Sequence, residues 1–129
     1  MIWNSPVRSP FLRDRALHYW YPLDVEQLNR AAAHFVGPHD FTSFCTTDSR
    51  DRGDMTRTVT ASHWRREGEK VIYTVAADGF LYNMVRILVG TMLRVAERKF
   101  TPEEMPRILQ AKDRRKAGPT APACGLYLN

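Results

Sequence analysis

The chain has 129 residues, 43% of them hydrophobic, 26% charged and 11% aromatic, which suits one domain with a real core and excludes low-complexity disorder. Nineteen basic against fourteen acidic side chains leave a net charge of +5, and no apolar run approaches the ~20 residues that cross a bilayer. Met1-Ile2-Trp3-Asn4-Ser5-Pro6 carries neither the basic region nor the apolar region of a secretory signal. Cys45 and Cys124, without CxxC spacing, suit a reduced cytosol better than a disulfide framework or a zinc site. The expectation is therefore a cytoplasmic protein away from the membrane.

Met1 to Asn4 resembles the last residues of a strand, as if the chain were cut from something longer. The stretch from there to Tyr21, with prolines at 6, 10 and 22, is expected to be extended. Asp24 and Gln27 then have the spacing of a helix-opening capping box, and Leu23 with Leu28 that of a hydrophobic staple. Val25, Leu28, Ala32, Phe35 and Val36 form one apolar face before Gly37-Pro38 stops the helix. Asp48 to Met55, highly charged with one glycine, reads as an exposed loop. Arg57–Arg65 and Lys70–Ala77 are rich in Val, Ile, Thr, Tyr and Trp, and Arg66-Glu67-Gly68-Glu69 fits a hairpin loop between them.

The second helix is predicted from about Gly79 to Lys99, with Asp78 as its cap. Leu81, Met84, Val85, Leu88, Met92 and Val95 recur at helical spacing. Thr101, Pro102 and Glu104 open a third, short helix that Pro106 should kink. Ala117 to Asn129 reads as a Gly/Pro loop followed by a short apolar strand, Leu126-Tyr127-Leu128. The fold class is α+β: a single domain over residues 1–129, an antiparallel sheet with helices packed on one face.

Charge is unevenly placed. Arg86 to Lys116 holds nine basic and four acidic residues, the whole surplus of the chain. Such a segment favours a polyanionic partner, although a solvated face has the same composition. The sequence has no P-loop, paired-glycine dinucleotide motif, HExxH or GxSxG. His18, His34, His39 and His63 have no metal-ligand spacing and read as surface or satisfied polar residues.

Several strings carry the reading further: Val7-Arg8-Ser9-Pro10-Phe11, Gly37-Pro38-His39-Asp40-Phe41-Thr42-Ser43-Phe44, Arg57-Thr58, Gly79-Phe80-Leu81-Tyr82-Asn83-Met84-Val85-Arg86, Val89-Gly90-Thr91, and Ala117-Gly118-Pro119-Thr120-Ala121-Pro122 ahead of Gly125-Leu126-Tyr127-Leu128. In this order and spacing, over nearly the whole chain, they resemble the second half of the A-type tRNA pseudouridine synthases. The resemblance implies half of the pseudouridine synthase fold. It also implies isomerisation of uridine to pseudouridine at positions 38, 39 and 40 of the tRNA anticodon stem-loop. No cofactor or metal is expected, and the enzyme should be a homodimer. In that family an aspartate nucleophile sits in an Arg-Thr-Asp-x-Gly-Val string of the N-terminal half, and no such string occurs here. Asp51 in Arg50-Asp51-Arg52-Gly53 is only a superficial match. The chain alone is thus expected to be inactive, and a stand-alone RNA-binding module is the alternative. A third reading is a homodimerising structural domain.

By the same resemblance, Arg86 matches the arginine that pairs with the catalytic aspartate, on the flank of the helical stripe. A flank arginine snorkelling to solvent would look the same from sequence. Phe80 and Leu81 would line the same pocket or simply fill core, and Leu126 and Tyr127 would belong to a strand near the site or to plain sheet packing. Asp40 and Ser43 are expected at most to organise the turn into Phe44. Arg57 suits a phosphate or a structural carboxylate. Arg114, Arg115 and Lys116 suit the tRNA backbone, or form a solvated loop.

Overall fold

A computed structural model describes residues 2–4, 17–19, 21–46, 53–124 and 126. The expected extended stretch at 5–16, most of the charged loop before Asp54, Asp51 and the expected strand residues Tyr127 and Leu128 lie outside the described residues.

The centre of the sheet is the hairpin of β4 (Thr56–Glu67) and β5 (Lys70–Ala77), paired from Val59↔Ala77 to Glu67↔Lys70 with one irregularity between Val59 and Ala61. Only Gly68 and Glu69 separate the strands, and Gly68 takes φ +62°, a value that glycine adopts without a Cβ clash. β3 (Gly37–Asp40) adds antiparallel to β4. On the other side β1 (Ile2–Asn4) pairs antiparallel with β5, and β2 (Leu17–Tyr19) pairs with β1 in parallel. The order is β2-β1-β5-β4-β3, antiparallel except at the β2 edge.

Alternation sorts the hairpin's side chains. Trp64 and Val71 are buried with Ser62, and Trp64 stacks on Tyr73 with ring centroids 4.8 Å apart. These face the helices: the Trp64 indole donates to Met92 Sδ at 3.3 Å. Beyond the short β3, no strand among the described residues pairs with the outer side of β4, and Asn29 of α1 (Val25–Ala33) takes that place. Its amide donates to Trp64 O at 3.0 Å, and its Oδ1 accepts from Trp64 N at 2.7 Å. One side chain thus satisfies a backbone donor and acceptor that would otherwise be costly.

Asp24 caps α1 by accepting from Glu26 N and Gln27 N, and the staple residues Leu23 and Leu28 are both buried, as their spacing predicts. The string 37–44 is largely packing: Phe35, Phe41 and Phe44 are fully buried and form one aromatic cluster. Asp40 organises the turn, its Oδ1 accepting from the Thr42 amide and hydroxyl. Ser43 reaches further than expected, donating to Ile108 O and accepting from Asp113 N.

Two helix starts differ from expectation. α2 runs Met84–Ala96, so residues 79–83 are a turn outside the helix. Asp78 does not cap it; its carboxylate accepts from Thr58 N and ties β5 back to β4. The capping box of Thr101 and Glu104 forms as read, on a 3-10 turn (Pro102–Glu104), and α3 (Met105–Ala111) continues from it with Pro106 in its first turn. The change of helix type takes the place of the expected kink. At the start of the chain, Asn4 donates to Tyr19 O and Tyr21 O and accepts from Leu23 N, while Arg66 donates to Asn4 Oδ1 and Leu23 O. That hub fastens the β1–β2 edge to the hairpin. Among the described residues no helix is long and apolar enough to cross a membrane.

Candidate active site

The site is built where the C-terminal tail crosses α2. Met84, Ile87, Leu88, Met92 and Val95 bury one face of the helix, and Gly90 and Thr91 lie buried where the tail passes. A Cβ on Gly90 would stand 1.7 Å from the Pro119 carbonyl oxygen, and one on Gly118 2.8 Å from Thr91 Cα. Only glycine on both segments permits this approach. Thr91 locks it: its hydroxyl donates to Ile87 O at 2.7 Å and accepts from Gly118 N at 2.9 Å, both inside the protein. Val89-Gly90-Thr91 and Ala117-Gly118-Pro119 therefore belong together as two sides of one crossing.

That crossing delivers Ala121 to Arg86. Ala121 N donates to Arg86 O at 3.0 Å, and Arg86 Nε donates to Ala121 O at 2.7 Å. Arg86 Nη1 donates to Asn83 Oδ1 at 3.2 Å. Nη2 has no hydrogen-bond partner among the described residues, and no carboxylate among them forms an ion pair with Arg86. Arg86 is part-buried rather than snorkelled away: both its ties are to neutral groups of the same chain.

The guanidinium borders a cleft of about 340 Å³ between β5, α2 and the tail. Tyr73 and Val75 line it from the sheet, Val85 and Val89 from the helix, and Pro122 and Leu126 from the tail. Among the described lining residues Arg86 alone carries a formal charge, and no carboxylate or imidazole lies with it. The Tyr73 phenol is bonded to Ser62 at 2.6 Å, and burial raises its pKa well above the usual tyrosine value, so it stays neutral. Beside the cleft the Tyr19 hydroxyl is bonded to Glu97; burial first, and then this carboxylate, raise the Tyr19 pKa. An apolar cleft with one oriented guanidinium is suited to an anion, since the planar fork holds a carboxylate or phosphate with geometric selectivity. By itself it holds a charge partner without a group for proton transfer.

Of the other residues singled out from sequence, Leu126 shares the cleft with Arg86. Tyr127 lies outside the described residues. Phe80 is exposed in the 79–83 turn and Leu81 packs on the core, and neither lines this cleft. Arg57 binds the carbonyls of Asp54 and Thr56 and lies across Gly79. Arg114 donates to Gly118 O and Thr120 Oγ1, bracing the turn that leads into the crossing. Arg115 pairs with Asp113, holding that carboxyl below its usual pKa, while the exposed Lys116 donates its backbone amide to Asp113 O at 3.0 Å. Asn83, Thr91 and Ala121 stand in the quoted strings without a role that sequence reasoning assigns, and Tyr73 reads only as a strand residue. The strings around Gly90 and Gly118 were the sequence's only trace of the crossing. Among the described residues no group of three or more His, Cys, Asp or Glu is placed to hold a metal.

Comparison with known proteins places the chain in a family. A family model described as tRNA pseudouridine synthase matches residues 31–129. A protein of Acetivibrio thermocellus named tRNA pseudouridine synthase A is 44% identical over 128 residues, 99% of this chain and 52% of its own length. Its namesakes in Bacillus velezensis and Moorella thermoacetica are 45% and 46% identical over 127 residues, covering 98% of this chain and 51% of theirs. The chain spans about half the length of the curated relatives it matches. With a match over residues 31–129, which hold α2, the crossing and most of the cleft lining, the chain belongs to the tRNA pseudouridine synthase family.

Proposed function

We propose that this chain forms the C-terminal half of the active site of a tRNA pseudouridine synthase that isomerises uridine to pseudouridine at positions 38–40 of the anticodon stem-loop. The observation that carries the proposal is Arg86: one guanidinium held in an apolar cleft, with Nη2 unengaged among the described residues. The aspartate nucleophile comes from an Arg-Thr-Asp-x-Gly-Val segment that these 129 residues do not contain. The uracil is detached from its ribose and rejoined through carbon. Arg86 keeps the attacking carboxylate ionised and oriented, since a buried carboxylate without a charge partner would rather be protonated. Leu126 and the apolar walls of the cleft receive the base. Arg115 and Lys116 contact the tRNA backbone. The complete enzyme works in the cytoplasm as a homodimer, without a cofactor.

The test is pseudouridine formation on unmodified tRNA, mapped by carbodiimide modification. The 129-residue chain should give no product, and the same chain joined to its N-terminal half should modify the anticodon arm. Product from the isolated chain, or none from the joined protein, overturns the reading.

A further inference from the structure

We infer that Asn83 is a positioning residue for Arg86, an assignment that rests on the function proposed above. Asn83 precedes α2 at the position where an asparagine ordinarily folds its side chain back onto the helix amides. Here it does not: φ is +60°, and the side chain makes no capping hydrogen bond. In the left-handed region the amide is released from the helix end, and asparagine is among the few residues with a side chain that enter this region readily. Its carbonyl still accepts from Ile87 N at 3.0 Å, so the helix begins in register. The freed Oδ1 instead accepts from Arg86 Nη1 at 3.2 Å. Thr46 steadies the turn from the other side, its amide donating to Tyr82 O at 3.1 Å and its hydroxyl lying 3.5 Å from Asn83 Nδ2.

The consequence is geometric. Ala121 O fixes Nε and Asn83 Oδ1 fixes Nη1, so two bonds on two nitrogens set the plane of the guanidinium. Both acceptors are neutral, which leaves the full positive charge for an incoming carboxylate, and Nη2, unengaged among the described residues, to meet it. A carboxylate at residue 83 would compete with the nucleophile for that charge; an amide orients the arginine without neutralising it. Asn83 thus gives up a helix cap and holds the site.

The experiment uses the full-length enzyme, the chain joined to its N-terminal half, with Asn83→Gly. Glycine keeps the left-handed backbone without strain and removes only the amide, so the melting temperature should hold. The expected result is a fall in kcat of about tenfold, the loss of one hydrogen bond to a charged group, with KM for tRNA little changed. In an Arg86→Lys background Asn83→Gly should have no further effect, because the bonded guanidinium is already gone. A normal kcat for Asn83→Gly beside an inactive Arg86→Lys overturns the Asn83 assignment alone. A fully active Arg86→Lys overturns the site reading beneath it. Additive losses in the double variant, or a lowered melting temperature that accounts for the lost rate, identify Asn83 as structural and also overturn the assignment.

Discussion

The chain places basic side chains both at Arg86 and in the Arg114–Lys116 turn, and the fold treats the two in opposite ways. Arg86 stands alone in an apolar cleft, oriented by neutral acceptors, with its charge uncompensated by any described carboxylate. In the turn the charges are denser but largely engaged: Arg114 braces Gly118 and Thr120, and Arg115 is paired with Asp113. Charge density along a sequence therefore says little about where a charge is available. What matters is whether the surrounding chain consumes it. The two regions are also mechanically joined, because Arg114 holds the turn whose continuation, Gly118 to Ala121, orients Arg86.

The largest expected effect breaks that joint. In Gly90→Ala the new methyl would meet the backbone oxygen of Pro119, which cannot rotate away. The tail must lift, at a cost of about 3 kcal/mol, the upper range for overpacking a close contact, and Arg86 loses both bonds to Ala121. Chemical denaturation of the isolated chain measures this. A variant as stable as the parent would mean that the tail does not rest on α2.

Alkaline stability separates the buried side of the comparison from the exposed one. Tyr73 and Tyr19 have raised pKa values in the folded state, chiefly through burial, so folding favours their protonated forms. Their contribution is complete below the unfolded tyrosine value of about 10 and is lost as pH rises beyond it, because the unfolded chain then releases protons that the folded chain keeps. Stability should thus decline above about pH 10, and Tyr73→Phe should make the decline shallower. A Tyr73→Phe variant with an unchanged alkaline limb would show that the phenol is not sequestered.

The smallest effect concerns the turn itself. Arg115→Ala with Lys116→Ala should leave the melting temperature nearly unchanged, since an exposed pair contributes ~0–1 kcal/mol. The same change should reduce the salt dependence of tRNA binding by at most about two phosphate contacts. Arg114→Ala should behave the other way, losing ~1–2 kcal/mol of stability with its internal bonds. An unchanged salt slope in the double variant would take the turn out of the RNA surface.

The hairpin, the first helix with its cap and staple, and the capping box at Thr101 were all legible in the sequence, because each depends on residues close together in the chain. The α+β class followed from them. The start of α2 was misplaced because Leu81 lies on the helical period while Asn83 breaks it with a left-handed backbone that no periodicity reveals. β3 was hidden behind Gly37-Pro38, which reads as a stop signal, and the Asn4 and Asn29 hubs join segments far apart in sequence. Arg86 stands out in the sequence through a resemblance to a family, not through spacing. Its ties to Ala121 and Asn83 could not be foreseen, since they require the tail to cross the helix at two glycines.

The most direct test of the account is Arg86→Lys in the full-length enzyme, with turnover and melting temperature measured on the same preparation. Lysine keeps the charge but has one nitrogen in place of the planar fork, so it cannot reproduce the separate Nε, Nη1 and Nη2 directions toward Ala121, Asn83 and a carboxylate. Turnover should fall ~10²–10³-fold, the size expected when a buried charge pair is broken, while the protein stays folded at the assay temperature. A folded Arg86→Lys enzyme with near-normal turnover would contradict the claim that this arginine is the charge partner of the nucleophile.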